Sequence, residues 1–439
     1  MFRYALTRTA SSVAAGPKNI VLIDGVRTPF LQSSTGFNDL LAYELQHIAF
    51  TNLIKRTGIS PDLVQYVVCG TVIQEGRTSN IAREAVLSAG FPHKVPAHTV
   101  TQACISSNQA ITSAMGYINS GTHDIAICGG VETMSDVPIR VSPSMRKWLL
   151  KLNKTKTPMQ KLSLLAQLRL KHFGLELPAV TEFSSNETMG QSGDRLAAAF
   201  KVSRREQDEY ALRSHTLADK ATKAGLLSDV MPVIVPKKGI FDKDNGIRPT
   251  SLEKMSQLKP AFVRPYGSVT AANASFLTDG ASACLIMTEE KAKELGFKPK
   301  AYLRQFVYTS ADPKDECLLG PAYATPRLLQ KAGLTLKDID VFEYHEAFAG
   351  QILANLKAMD CDYFAKNYVG LREKIGSPDI DKLNLWGGSL SLGHPFGATG
   401  IRLVTTAANR LHKEGGKLAI VAACAAGAHG HAMLIERYP

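Results

Sequence analysis

Apolar positions follow two alternating rhythms along this chain, and the rhythms recur in the same order in its two halves. A turn with capping residues runs into a short apolar strand at Gly58 to Gly70, and the same arrangement returns at Gly333 to His345. A second strand follows in each half, Asp124 to Cys128 and Lys417 to Ala423. Between the strands, Ile111, Ala114, Met115 and Ile118 keep helical spacing, as do Val404, Ala407, Ala408 and Leu411. Strands alternating with amphipathic helices predict an α/β fold, and the repetition predicts two similar halves packed together.

Residues 140–264 do not fit this repeat and read as an insertion. From Arg140 to Lys171 the chain holds nine Lys/Arg and no Asp or Glu, interleaved with Trp148, Leu149, Leu150, Leu152, Leu162 and Leu165. A basic amphipathic segment of this kind can lie on an anionic membrane, with its apolar face in the interface and its cations near the lipid phosphates. A solvated face packed on its own domain or on a partner subunit is the equal alternative. RNA binding is weaker, because Trp148 is the only aromatic before Phe173 and stacking surfaces need more.

The chain has 439 residues, 45% of them hydrophobic, enough for two or three packed domains. Its formal charge of +12 admits acidic partners of several kinds, nucleotide-bearing substrates among them, and no nucleic acid is expected. The seven cysteines are scattered and include no Cys-x-x-Cys pair, which disfavours a disulfide framework and a zinc site; no metal is expected. No apolar run reaches eighteen residues, so no spanning helix is expected. Residues 1–16 carry Arg3 and Arg8, are rich in Ser, Thr and Ala, and precede the first acid at Asp24. That composition predicts a mitochondrial transit peptide.

The candidate chemistry sits where predicted strands end. His394 lies in the glycine-rich stretch Asn384 to Gly400, where the backbone can take positive φ and approach other groups closely. Cys104 lies at a strand-to-helix junction, where unpaired N–H groups would stabilise a thiolate and depress its pKa. Cys424 ends a predicted buried strand and opens a turn of small residues, Cys424 to Gly430, whose N–H groups can converge on an oxyanion. His345 likewise follows a strand, Val341 to Tyr344. Open α/β folds deliver reactive groups from strand ends in this way. The remaining cysteines, Cys69, Cys128, Cys284, Cys317 and Cys361, read as structural.

Three motifs, around Cys104, across 384–400 and across 419–432, together resemble the thiolase family from about Lys18 to the C-terminus. The resemblance implies two βαβαβαββ halves in a five-layer αβαβα core with an inserted loop domain. On that pattern the N-terminal half is 17–139 plus 265–294, the loop domain 140–264 and the C-terminal half 295–439. It also implies thiolytic cleavage of a 3-ketoacyl-CoA by coenzyme A, with CoA as substrate and no cofactor. In that chemistry Cys104 is acylated, His394 activates it and Cys424 exchanges protons with the acetyl carbanion or the incoming thiol. Oxyanions would be held by His394 with His345 at one place, and by the backbone N–H groups of Cys104 and Ala426 at another. Ser275, in Val269 to Ser275, matches the loop that contacts pantetheine.

Two departures from the common family pattern stand out. His345 replaces the asparagine of Asn-Glu-Ala-Phe, which predicts a pH dependence an amide would lack, and Ala426 replaces a glycine. With the basic insertion, they resemble the long-chain 3-ketoacyl-CoA thiolase branch of mitochondrial β-oxidation. That branch implies a homodimer core and an α subunit with enoyl-CoA hydratase and 3-hydroxyacyl-CoA dehydrogenase activities. It further implies contact with the matrix side of the inner membrane. An acetoacetyl-CoA thiolase, a ketoacyl-synthase-type condensing enzyme and a membrane-docking scaffold remain as alternatives.

Overall fold

The computed structural model describes residues 18–177 and 181–439, so the expected transit peptide lies outside the described residues. The N-terminal half supplies β1 (Ile20–Arg27), α1 (Ala42–Thr57), β2 (Tyr66–Gly70), α2 (Ile81–Ser88), β3 (Ala97–Val100), α3 (Ser106–Asn119) and β4 (Ile125–Glu132). After the insertion, with its helices α4 (Pro143–Lys154), α5 (Pro158–Leu165), α6 (Met189–Ala199) and α7 (Arg204–Lys223), β5 (Thr278–Thr288) returns to the same sheet. The C-terminal half follows with β6 (Ala301–Ser310), α8 (Gly320–Ala332), β7 (Val341–Tyr344), α9 (Ala349–Met359), α10 (Thr399–Glu414), β8 (Leu418–Ala425) and β9 (His429–Arg437).

Strand order is β3-β2-β4-β5-β1 in the first half and β7-β8-β9-β6 in the second. Directions match station by station. β2 pairs parallel with β3 and β4, while β5 runs antiparallel to β4 and β1. Likewise β7 is parallel to β8, and β9 antiparallel to β8 and β6. The counterpart of β3 shrinks to one parallel bridge, Phe342 to Leu383. Two residue pairs between β1 and β6, Val21 with Tyr302 and Leu22 with Ala301, stitch the sheets at one corner.

Burial patterns explain the layering. Every residue of β4 and β5 is buried, as expected of strands covered on both faces. Leu45, Phe50, Ile81 and Val86 of α1 and α2 form one apolar cluster against the outer face of the first sheet. Ile111, Met115, Val404 and Leu411 of α3 and α10 form a second, sandwiched between the sheets. A third joins α8 and α9 to the outer face of the second sheet through Leu328, Ile352 and Phe342. The result is the αβαβα stack that the family resemblance implied.

The insertion is held to the body by a buried charge cluster. Arg27 Nε donates to Asp229 at 2.9 Å and Arg27 Nη1 to Asp244 at 2.6 Å, with all three side chains almost fully enclosed. Within it, α4 and α5 fold against each other, the Trp148 indole N–H donating to the Leu164 carbonyl at 2.9 Å. Several of their apolar side chains face outward, Leu150 being 64% exposed and Leu162 62%, and beyond α5 Leu170 is 92% exposed. Among the described residues no helix is long and apolar enough to cross a membrane.

Candidate active site

Cys104 ends a tight turn rather than a regular element. Ala103 takes φ 45°, a left-handed conformation rare for a residue with a Cβ. Ser106 holds the turn from inside, its Oγ accepting from the Gln102 N–H at 2.8 Å and donating to the Ala103 carbonyl at 2.6 Å. The thiol is thereby presented at the wall of a cavity of about 390 Å3 between the two halves. His345, His394, Cys424, Ala426 and Ser275 line the same cavity, so all the sequence-derived candidates meet there.

His345 and His394 are each fixed by a neighbour that sequence reading did not single out. Asn384, at φ 51°, accepts from the Tyr344 N–H and donates to the Tyr344 carbonyl, each at 2.8 Å, which ends β7 immediately before His345. Its amide also reaches Glu346 at 2.6 Å, beside Gly388, where an added Cβ would stand 2.2 Å from the carboxyl carbon. Only glycine fits that approach. The His394 N–H donates to Thr278 Oγ1 at 3.0 Å, placing β5 directly under the histidine turn. Ser275, three residues before β5, is held by its N–H on the Ala347 carbonyl at 2.9 Å.

One carboxylate clamps the two halves across this site. Glu132, buried at the end of β4, accepts from the N–H groups of Val72 (3.1 Å), Ile73 (2.9 Å) and Gly397 (3.0 Å). Burial pushes its pKa up to about 8, against the pull of those donors.

The two imidazoles lie with ring centroids 4.0 Å apart. His394 Nδ1 is 2.7 Å from Thr399 Oγ1, whose own hydrogen is directed to the Pro395 carbonyl at 3.0 Å. On this hydrogen-bond assignment Nδ1 carries the proton and Nε2 offers a lone pair to the cavity. The Nε2 atoms of both histidines are buried without a protein partner. Burial, and then the Arg402 guanidinium, push His345 down to about 3; burial, His345 and Arg402 hold His394 well below its ordinary range. Both rings are neutral at working pH, so the pH dependence expected of His345 in place of an amide falls outside that range.

The expectation of an acidified Cys104 is also overturned. Burial pushes this thiol up to about 12, although the N–H groups of Ala426 and of Cys104 itself point at the sulfur and favour its thiolate. Burial outweighs any help from the N-terminus of α3, which begins two residues later at Ser106. Cys424 is held well above its ordinary range by burial and by the neighbouring Cys104 and Cys317 thiols. Cys317, read from sequence as structural, therefore stands beside the pair.

A second cavity of about 310 Å3 is lined by His215, Arg248, Thr250, Lys254, Ala271 and Ala272. Arg248 connects it to the first, its guanidinium carbon 6.0 Å from the ring centre of Phe276, which lines the catalytic cavity. Sequence reading nominated no basic residue for the CoA phosphates, because one arginine among the many of a basic insertion carries no distinguishing pattern.

Comparison with known proteins agrees with this architecture. Residues 20–290 match the thiolase N-terminal domain and residues 297–437 the thiolase C-terminal domain. A mouse protein named trifunctional enzyme subunit beta, mitochondrial, is 65% identical over 422 residues, covering 96% of this chain and 89% of its own. A Caenorhabditis elegans protein named probable 3-ketoacyl-CoA thiolase is 59% identical, covering 99% of this chain and 98% of its own. The crystal structure of human mitochondrial 3-ketoacyl-CoA thiolase superimposes with a TM-score of 0.82 at 30% identity, over 97% of this chain and 100% of that one. Duplicated halves, a thiol and an imidazole from opposite sides of their seam, and both domain matches lead to one conclusion: the chain belongs to the thiolase family.

Proposed function

We infer that this chain is a 3-ketoacyl-CoA thiolase that cleaves its substrate with CoA to acetyl-CoA and a shortened acyl-CoA. The observation that carries this reading is the pairing of two thiols with two neutral imidazoles on one cavity wall. Cys104 attacks the C3 ketone as its proton passes to His394 Nε2, and the oxyanion is met by the histidine pair. Breaking the C2–C3 bond leaves acyl-Cys104 and an acetyl-CoA enolate, which takes the Cys424 proton. The Cys424 thiolate then deprotonates incoming CoA, whose sulfur attacks the acyl carbon. Cys104 leaves as a thiolate and recovers its proton from His394. The N–H groups of Cys104 and Ala426 stabilise the oxyanion of this second step, each such donor being worth about 3 kcal/mol.

Ser275 supports the pantetheine arm, and Arg248 and Lys254 at the adjoining cavity take the CoA phosphates. The relatives' names support a mitochondrial location and a partner α subunit, to which the family resemblance assigns hydratase and dehydrogenase activities. The outward leucines and lysines of α4 and α5 support contact with the anionic inner membrane on its matrix side. Edge strand β3, half-buried along its length, supports assembly as a homodimer. Preference for long acyl chains rests on the family resemblance of the motifs alone. Thiolysis of 3-ketoacyl-CoA substrates from C4 to C16, with wild type and Cys104→Ala, tests activity and chain length together. Absence of acetyl-CoA formation by the wild type overturns the reading.

A further inference from the structure

Resting on that reading, we propose that Ser389 and Arg402 are positioning residues that fix the tautomer of His345, so that its Nε2–H points into the cavity as an oxyanion donor. The cavity then offers one acceptor nitrogen, on His394, and one donor nitrogen, on His345.

Arg402 is 1% exposed and Ser389 and His345 are fully enclosed, so no solvent reaches this chain of contacts. Arg402 Nη2 lies 2.9 Å from Ser389 Oγ, and Ser389 Oγ lies 2.9 Å from His345 Nδ1. A guanidinium can only donate, so Ser389 Oγ accepts from Arg402. Its single hydrogen then has one acceptor within reach, His345 Nδ1. If Nδ1 instead carried the proton, the serine O–H would be buried without an acceptor, which costs about 1–3 kcal/mol. Nδ1 is therefore the bare nitrogen and Nε2 carries the hydrogen. That Nε2 has no protein partner and borders the cavity, which leaves its hydrogen for a substrate oxygen.

Arg402 is itself placed for this task. Its Nη1 stands 3.6 Å from Glu343, a carboxylate mainly committed to Arg410 at 2.7 Å. It rises from the first turn of α10, eight residues after His394. One helix start thus aims a base at Cys104 on one side and locks a donor on the other. His394 faces the opposite constraint, because Thr399 directs its hydrogen to a carbonyl and leaves the lone pair for Nδ1–H. Two hydroxyls three bonds from the chemistry assign opposite roles to two identical side chains.

Neutron diffraction from deuterium-exchanged crystals tests the assignment directly. Deuterium is expected on Nε2 of His345 and on Nδ1 of His394, and deuterium on Nδ1 of His345 overturns the proposal whatever reaction the protein catalyses. Kinetics supply the second arm. Ser389→Ala is expected to lower kcat for thiolysis on the order of tenfold with little change in KM for CoA, and Ser389→Thr to restore it. In a His345→Asn background, where an amide donates without a tautomer to set, Ser389→Ala is expected to add no further loss. An unaltered kcat in Ser389→Ala, or an equal loss in both backgrounds, overturns the positioning role while leaving the thiolase reading intact.

Discussion

Replacing His394 with alanine probes the least expected property of the site, a nucleophile that is held as a neutral thiol. With the Cys104 pKa pushed up to about 12, only about one molecule in 10^4 carries a thiolate at about pH 8. Relative to a cysteine with the ordinary value of 9.0, ionisation in place costs roughly 4 kcal/mol more. An unassisted thiolate is thus too scarce, and the proton must move to His394 Nε2 as the carbon–sulfur bond forms. His394→Ala removes that acceptor and is expected to lower kcat/KM roughly 10^3-fold. Rapid-quench mass spectrometry of acyl-Cys104, with a 3-ketoacyl-CoA and no free CoA, reads the step itself. Iodoacetamide labelling of the Cys104 peptide in the wild type reads the ground state, and its rate is expected to rise about tenfold per pH unit through about pH 10. A plateau near pH 7 would show a preformed thiolate paired with an imidazolium, and the reasoning from burial would fail.

Cys424→Ala is expected to lower turnover roughly 10^2-fold or more, since Cys424 both gives its proton to the enolate and takes one from the incoming CoA. If carbon–carbon chemistry survives Cys424→Ala while His345→Ala abolishes it, the chain is a condensing enzyme of another type. Stability should fall in acid. His345 and His431 are both pushed down to about 3 by burial, so the unfolded chain binds their protons first below about 6.5. Their contribution is complete above that pH and shrinks as pH falls toward 3, by roughly 2 kcal/mol each at pH 5. Glu132, pushed up to about 8, acts in the opposite sense, losing its contribution as pH rises from about 4.5 through 8. Because the two effects oppose each other between pH 7 and pH 5, the histidine contribution is read from His345→Asn, and a melting-temperature change over that range equal to the wild type's would contradict it. Binding to cardiolipin-containing vesicles is expected to weaken with salt and to disappear when residues 145–171 are deleted; binding unchanged by the deletion would refute the membrane contact.

The layers and the principal side chains were legible because they obey local rules. Strands covered on both faces read as continuous apolar runs, α3 and α10 keep their period, and Cys104, His345, His394 and Cys424 sit at strand ends or in a glycine-rich turn. What escaped notice is set by long-range contact. Thr278 lies 116 positions from the histidine whose N–H it accepts, and Glu132 lies 265 from the Gly397 it holds. Nothing in their immediate sequence announces those partners. Ser389 could have been noticed as a polar residue among glycines in the His394 motif, but its role depends on Arg402, a side chain that a helical pattern places on α10 without saying what it touches. The direction of the Cys104 shift was misread for a related reason: a helix start is visible in sequence, whereas the density of protein around a sulfur is not.

The seam between the sheets has a bearing on how this protein came to be active at all. Its turn after β3 carries the nucleophile, and the matching turn after the Phe342–Leu383 bridge carries the base, so two copies of one scaffold hold complementary reagents at the same topological address. Neither copy owns a complete site. A chain cut after the short helix Glu289–Glu294 that links β5 to β6 would yield two inert pieces whose regained turnover reports their reunion, making catalysis a readout of correct pairing between the two halves.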